Sequence, residues 1–283
     1  MAKQNNQKLT MAEINLPSKP RPAVLSTPKR TIIFSKPKVG KTFTVSKLDK
    51  CLILDFEEGT LAIDALAVPI KKFSDIKEVC IAIRKKFKED KKAPYNYIAI
   101  DTASALEEMS IGEAERRWSI SPEGKKWFMA DPDDPTKLHP KSGKAQYGSI
   151  MHLPYGKGYQ LVAEVFTDVI DMVEKVTPKL ILFAHSAYAS LNKEGVEFTS
   201  LDIQMSKKCK FAATFKADAI GYMYREGKQN FINFTASEDV GAGGRHRYLE
   251  KKHILISEYI EDDKGNEEFV TYWDNIFSPK KEK

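Results

Sequence analysis

The sequence predicts an α/β fold in which a mainly parallel β-sheet is flanked by helices and followed by C-terminal β-hairpins. Two observations support this fold class. The chain contains short apolar runs without polar alternation, which is typical of strands buried on both faces. Segments with apolar residues at helical spacing separate these runs, so strands and helices are predicted to alternate and to place helices on both faces of the sheet. The four runs are residues 31–34, 51–54, 97–100 and 180–184.

Four helices are predicted in the segments that separate the four apolar runs. The clearest has a capping-box-like start at Asp75 and Glu78, followed by an amphipathic pattern. Three others are expected from Lys41, over residues 103–117, and across the apolar positions between residues 162 and 173.

The pattern changes to β-hairpins after residue 185. A turn over residues 191–196 is predicted to join two short strands. A second hairpin is predicted from residues 219–224 and 231–234, with Glu226 and Gly227 in its turn.

The composition predicts one core with two tails. Residues 1–28 are polar, basic and rich in proline near their end, which predicts an extended leader. The core is expected over residues 29–277, with an irregular insertion at 118–158, and residues 278–283 form a basic tail. The chain carries a net charge of +6, and basic ends suit either a polyanion partner or solubility alone.

Membrane and secreted classes are disfavoured. The chain has no apolar run long enough to span a bilayer, and its first residues do not resemble a signal peptide. Its three cysteines are far apart in the sequence, which argues against a disulfide framework. We therefore expect a cytoplasmic protein.

Residues 35–42 read Ser-Lys-Pro-Lys-Val-Gly-Lys-Thr and match the phosphate-binding loop pattern G-x-x-x-x-G-K-[ST] except at Ser35. The loop lies between a predicted strand and a predicted helix, which is the context that this motif needs. Lys41 is expected to bind the β- and γ-phosphates of ATP, and the Thr42 hydroxyl to bind Mg²⁺. The predicted nucleotide-binding residues are Ser35, Lys36, Pro37, Lys38, Val39, Gly40, Lys41, Thr42 and Phe43.

Polar residues at the ends of the other predicted strands complete the candidate site. Asp101 is the candidate for the Mg²⁺ shell, although it can also be only the cap of the following helix. Glu57 and Glu58 follow the second strand, and either can activate the attacking water. His185 ends the fourth run and is either a sensor of the γ-phosphate or a structural histidine.

Together these landmarks resemble the RecA-like ATPases, and especially the small bacteriophage members associated with single-strand annealing and recombination. The resemblance covers roughly residues 29–250. It implies that Glu57 is the catalytic glutamate, Asp101 the metal-shell residue and His185 the γ-phosphate sensor. It also implies a homo-oligomer, either a ring or a filament, that binds single-stranded DNA and can work with a recombination or single-strand-binding protein. The segments that carry it are residues 35–42, 54–57, 100–106 and 182–186.

The same resemblance implies two DNA-binding loops, at residues 136–157 and 187–210. Both contain lysines interleaved with aromatic residues, which suits binding to a phosphate backbone with stacked bases. The residues concerned are Lys137, His139, Lys141, Lys144, Tyr147, Tyr155 and Lys157 in the first loop and Tyr188, Lys193, Lys207, Lys208 and Lys210 in the second.

A cation from a neighbouring subunit completes the site in RecA-like proteins, and the nearest match is Arg245 or Arg247. The predicted function is therefore an ATPase that is stimulated by single-stranded DNA. Two alternatives stay open. One is an ATP-gated module that coats single strands or recruits partners with little hydrolysis, and the other is a P-loop kinase acting on a small molecule.

Overall fold

The computed structural model describes residues 18–20, 25–126, 128–130, 138–140, 149–193, 196–237, 240–251, 253–262 and 264–278. Most of the predicted leader and tail, and part of the predicted insertion, lie outside these residues. The strands are β1 Arg30–Ser35, β2 Cys51–Asp55, β3 Ala67–Pro69, β4 Tyr97–Asp101, β5 Phe128–Ala130, β6 Leu138–Pro140, β7 Lys179–Lys193, β8 Val196–Ile203, β9 Ala219–Glu226, β10 Gln229–Asn233, β11 Gly243–Gly244, β12 Ile254–Glu261 and β13 Glu267–Thr271. The helices are α1 Lys41–Ser46, α2 Phe73–Asp90, α3 Ala103–Ile120, α4 Lys157–Glu174, α5 Lys207–Phe215 and α6 Asp274–Phe277.

The main sheet has the strand order β13-β12-β10-β9-β1-β7-β4-β2-β3. Strands β9, β1, β7, β4, β2 and β3 pair in parallel, whereas β10, β12 and β13 pair antiparallel. Buried apolar residues form one cluster on each face of the sheet. The predicted fold class is therefore confirmed, including the four parallel strands and the C-terminal hairpin of β9 and β10.

Strand β7 lies between β1 and β4, so the strand that leads into the phosphate-binding loop is not adjacent to the strand that carries Asp101. The carboxyl ends of these parallel strands lie at one edge of the sheet, which we call the carboxyl edge. The opposite edge, where β1, β7 and β9 begin, is called the amino edge. Ligands of open α/β sheets bind at the carboxyl edge.

Two expectations about segment boundaries were wrong. The fourth strand does not end at His185, because β7 continues to Lys193 and pairs antiparallel with β8. Residues 187–210, predicted as a loop, therefore form most of a hairpin and the start of α5. A strand extended beyond the sheet edge retains its backbone hydrogen bonds when a second strand returns beside it.

The predicted irregular insertion is shorter than expected. Helix α3 continues to Ile120 instead of ending at 117. The described residues that follow include three 3₁₀ turns and the short antiparallel pair of β5 and β6.

Among the residues that the structure describes, no helix is long and apolar enough to cross a bilayer.

Candidate functional site

The phosphate-binding loop joins β1 to the six-residue helix α1. Its chain turns sharply because two residues have positive φ, Lys38 at 63° and Gly40 at 103°. Only glycine adopts the backbone conformation of Gly40 without strain. The motif's second glycine is therefore required by the turn itself, which brings Lys41 back beneath the loop.

Lys41 is the buried cation of the site. Its side chain is 6% exposed, and Nζ donates a 2.9 Å hydrogen bond to Oγ of Ser35. Burial lowers the pKa of the ammonium group, and the nearby carboxylates of Asp101 and Glu57 oppose that shift. No ion pair involving Lys41 occurs within the described part of the chain. A buried cation without a paired anion suits a ligand that brings negative charge.

Ser35 has a role that the sequence did not reveal. It replaces the first glycine of the motif. In the structure it ends β1, is fully buried, and accepts the hydrogen bond from Lys41 while donating to the carbonyl of Lys36. The substitution therefore orients the loop lysine.

Asp101 and Thr42 meet at the end of β4. The Thr42 hydroxyl donates a 2.5 Å hydrogen bond to Oδ2 of Asp101, a carboxylate that is only 4% exposed. Burial raises the pKa of Asp101, and Thr42 and Lys41 oppose that shift. The capping role considered for Asp101 belongs instead to Thr102, whose hydroxyl accepts from the N–H of Ala105 at the start of α3. Asp101 is thus directed into the site.

Glu57, rather than Glu58, lies at the site. Its Oε1 accepts a 2.6 Å hydrogen bond from the Thr102 hydroxyl and lies 3.2 Å from Nε2 of His185. Glu58 has a positive φ of 58°, is exposed, and lies 4.0 Å from the ammonium of Lys71. The structure therefore brings together two of the predicted residues, Glu57 and His185, that are 128 positions apart.

Asp55 holds the turn that carries Glu57, and sequence reasoning gave it no such role. Its carboxylate is 2% exposed and accepts from the backbone N–H groups of Glu57, Gly59 and Thr60 at 2.9–3.1 Å. The Thr60 hydroxyl donates a further bond of 2.5 Å. Asp followed by Thr or Gly in a turn is a common local signal. Here that local turn sets the direction of a glutamate needed at the site.

His185 connects this site to the β7–β8 hairpin. Its ring Nε2 faces Glu57, while Nδ1 is buried and has no hydrogen-bond partner among the described residues. Its backbone N–H lies 3.4 Å from the hydroxyl of Ser104 at the start of α3. The same strand carries Tyr188 three residues later.

These side chains line a cleft of about 390 Å³ at the carboxyl edge. Pockets for small ligands commonly have volumes of about 300–1,000 Å³. Three predicted nucleotide-binding residues lie outside the lining: Ser35 beneath Lys41, Val39 against the core, and Lys36, which faces Tyr188. The lining residues are Pro37, Lys38, Gly40, Lys41, Thr42, Phe43, Glu57, Gly59, Ile63, Asp101 and His185.

Arg245 is not part of this cleft within the chain. It lies at the amino edge, where its Nη1 is 3.1 Å from Oδ1 of Asp218, just before β9. Arg247 begins a 3₁₀ turn after it. The role expected for either arginine, completion of a neighbouring copy's site, stays a prediction.

The predicted DNA-binding residues are only partly described. Residues 136–137 and 141–148 of the first predicted loop lie outside the described residues, as does the side chain of His139. Tyr155 is fully exposed, and Lys157 pairs with Glu123. In the second segment Tyr188 is exposed and Lys210 pairs with Asp202.

The fold and the cleft define a P-loop nucleotide-binding domain. A family model described as an AAA domain matches residues 27–246, so the chain belongs to this family and carries an AAA-type P-loop ATPase domain. No curated protein matches the chain. Similar solved structures include a KaiC-like protein from the hyperthermophilic archaeon Pyrococcus horikoshii OT3, with 10% identity, a TM-score of 0.35, and coverage of 86% of this chain and 89% of that chain.

Proposed function

We propose that this chain is a Mg²⁺-dependent ATPase that is stimulated by single-stranded DNA and acts in phage-type homologous recombination or single-strand annealing. One observation carries the enzymatic part of the proposal. The Glu57 carboxylate, held by Thr102 and His185, lines the same cleft as Lys41, Thr42 and Asp101. The recombination role comes from the resemblance of these motifs to those of small phage RecA-like proteins.

The residues fit both ATP and Mg²⁺. Lys41 supplies a buried positive charge where the β- and γ-phosphates of ATP bind. Thr42 and Asp101 present a hydroxyl and a carboxylate 2.5 Å apart, and oxygen ligands of this kind suit Mg²⁺, which usually binds one or two carboxylates together with substrate phosphates. When bound, Mg²⁺ neutralises charge on the phosphate oxygens during transfer.

Glu57 is the residue that accepts the proton from water. The water oxygen forms a bond to the γ-phosphorus while the bond from that phosphorus to the bridging oxygen breaks, and ADP leaves with the bridging electrons. The proton released by water passes to the Glu57 carboxylate. Thr102 and His185 both contact Oε1 of Glu57, so they hold this carboxylate in one orientation.

The coupling to DNA is supported by the path of β7. This strand carries His185 at the cleft and Tyr188 outside it. The ammonium group of Lys36, inside the phosphate-binding loop, lies over the Tyr188 ring, 5.8 Å from the ring centre. A ligand that moves the β7–β8 hairpin therefore acts on the cleft through two contacts.

Assembly into a ring or filament is proposed from the position of Arg245. The arginine lies at the amino edge, whereas the cleft lies at the carboxyl edge. A head-to-tail contact between copies brings these two edges together, and such contacts generate rings or filaments. Arg245 of one copy then adds positive charge at the neighbouring cleft.

The main test measures phosphate release from ATP with and without a long single-stranded oligonucleotide at fixed salt. We expect stimulation by the oligonucleotide. Glu57→Gln should lower turnover by about 100-fold or more while retaining nucleotide binding. Glu58→Gln is the matched control and should behave like the wild type. Equal turnover in wild type and Glu57→Gln would favour the DNA-coating alternative, and phosphate transfer to an acceptor other than water would favour the kinase.

The Arg245 proposal is tested by mixing two weakened variants. Lys41→Met lacks a working cleft but retains Arg245, and Arg245→Ala retains its own cleft. If copies share sites, mixing them should give more turnover than the sum of the two variants measured separately. Simple additivity over a range of ratios would remove Arg245 from the site.

A further inference from the structure

A row of aromatic side chains lies on one face of the main sheet beside the phosphate-binding loop. We call it the aromatic face and define it as Tyr188, Tyr222, Tyr224, Phe231 and His253. Tyr222 and Tyr224 are nearly parallel with ring centres 5.9 Å apart, and Tyr224 and Phe231 are also 5.9 Å apart. The His253 ring lies 6.0 Å from both Tyr224 and Phe231. Four of these rings, those of Tyr222, Tyr224, Phe231 and His253, therefore form one continuous row, and Lys36 lies near both Tyr188 and Tyr222.

Strand register explains why these residues share a face. Tyr222 and Tyr224 are two positions apart on β9, and successive side chains of a strand point to opposite faces. On β10, Phe231 pairs directly with Tyr224. The intervening Met223 and its partner Ile232 are fully buried in the core cluster on the other side of the sheet.

The side chains of the aromatic face differ in their solvent exposure. Tyr188 is 64% exposed and His253 is exposed, whereas Tyr222, Tyr224 and Phe231 are half-buried. Contiguous exposed aromatic surface on a soluble domain marks an interaction site more often than it occurs without function.

The charges around the row favour an anionic partner at the end nearest the cleft. Lys36 lies over Tyr188 and also close to Tyr222. Lys251, two residues before His253, is exposed. The acid Glu226 lies two residues beyond Tyr224, at the tip of the β9–β10 hairpin. A phosphate group that contacts Lys36 therefore lies at the end of the aromatic face away from the acidic hairpin tip.

We propose that the aromatic face is a binding surface for single-stranded DNA, on which unpaired bases stack while Lys36 and Lys251 contact the phosphates. This inference rests on the proposed function and names the surface that serves it. Stacking on aromatic rings needs unpaired base faces and is tolerant of sequence, so it selects single strands over duplex. Because Lys36 belongs to the phosphate-binding loop, a bound strand contacts the loop that holds ATP.

The first experiment measures binding of fluorescein-labelled oligothymidylate to the full chain by anisotropy. Tyr188→Ala and Tyr222→Leu should each weaken binding by about 5-fold to 100-fold, because one stacked base contributes about 1–3 kcal/mol. Tyr188→Trp keeps a stacking ring and should retain wild-type affinity. Phe87→Ala, at an exposed aromatic residue on α2, is the matched control. Thermal unfolding of each variant shows whether it is folded.

A second experiment locates the contact without relying on variants. Photo-crosslinking of an oligonucleotide carrying 5-iodouracil, followed by mass spectrometry, should place crosslinks on the aromatic face. Two results would overturn the aromatic face as the binding surface and leave the proposed function intact. One is that the variants bind as tightly as the wild type, and the other is that crosslinks occur only in other segments. Absence of any binding by the wild-type chain would overturn both, and equal binding of duplex would contradict stacking.

Discussion

The carboxyl and amino edges of the sheet both bury a cation, and the partners of the two cations differ. At the amino edge Arg30 is 2% exposed, and its guanidinium faces two carboxylates, Glu174 at 2.6 Å and Asp171 at 3.7 Å. At the carboxyl edge Lys41 is nearly as buried, but its hydrogen-bond acceptor is the neutral hydroxyl of Ser35. The buried cation at the amino edge therefore forms ion pairs within the protein. The buried cation at the carboxyl edge forms none among the described residues.

The carboxylates show the same difference. Asp218 at the amino edge accepts from the backbone N–H groups of Lys29 and Arg30 and pairs with Arg245. Asp101 at the carboxyl edge has a raised pKa because burial outweighs its contact with Thr42. Removing one partner from a buried and fully paired charge destabilises the fold, whereas removing a buried charge that lacks such partners relieves its desolvation cost. Substitutions at the two edges should therefore have opposite effects on stability.

The largest expected effect is that of Lys41→Met. Loss of the phosphate-binding charge should lower ATP turnover by about 100-fold or more. The same substitution should raise the melting temperature, because it removes a desolvated ammonium whose pKa is lowered by burial. Lys85→Met, on the exposed side of α2, should change neither quantity. Retained turnover together with a lower melting temperature would contradict the distinction between the edges.

Asp218→Ala should have the opposite profile. Two backbone N–H groups at the start of β1 would lose their acceptor, which should lower the free energy of unfolding by about 2–3 kcal/mol. Urea unfolding measures this loss, and turnover per folded chain should stay at the wild-type value. Asp90→Ala, at the exposed end of α2, is the control. A large drop in turnover without destabilisation would show that the amino edge acts directly on the chemistry.

Local sequence signals account for most of the fold that was predicted. The unbroken apolar runs identify β1, β2, β4 and the first part of β7, because each is buried on both faces. The second half of β7 was predicted only as a short strand before the turn over residues 191–196. Its continuity with the buried strand was missed, because its pairing depends on β8, which returns beside it outside the parallel sheet. Strands β12 and β13 were not predicted, since their residues are only partly buried and their apolar runs are short.

The site shows the same division between local and long-range information. The loop motif predicted Lys41 and Thr42, and the position of Asp101 at a strand end predicted its place beside Thr42. The residues alone left Glu57 and Glu58 open, and the family resemblance favoured Glu57. The contacts that hold Glu57 come from Thr102, at the start of α3, and His185, on β7, and these long-range contacts were not predicted. The support that Asp55 gives to the Glu57 turn was likewise not predicted.

Asp101→Asn tests the carboxyl edge through pH. Burial raises the pKa of Asp101 above its ordinary value of 3.8, so the folded chain binds this proton more tightly than the unfolded chain does. The stabilisation that the bound proton provides is complete below pH 3.8 and is lost as pH rises through the folded-state pKa. An uncharged asparagine keeps the acceptor for Thr42 and avoids that loss. The variant should be more stable than the wild type at neutral pH, with the difference disappearing in acid. Thermal unfolding across this pH range checks the expectation, and Asp90→Asn should show no such trend.

The smallest expected effect on stability is that of Arg245→Ala. Its ion pair with Asp218 is made by an arginine that is 62% exposed, and exposed pairs contribute under about 1 kcal/mol. Asp218 keeps both backbone hydrogen bonds in this variant, so urea unfolding should show a far smaller change than Asp218→Ala. A loss of stability as large as that of Asp218→Ala would mean that the ion pair, and not the backbone contacts, holds the amino edge. If turnover falls in Arg245→Ala while stability barely changes, destabilisation is not the cause of the loss, and mixing with Lys41→Met then shows whether the loss arises in the cleft of a neighbouring copy.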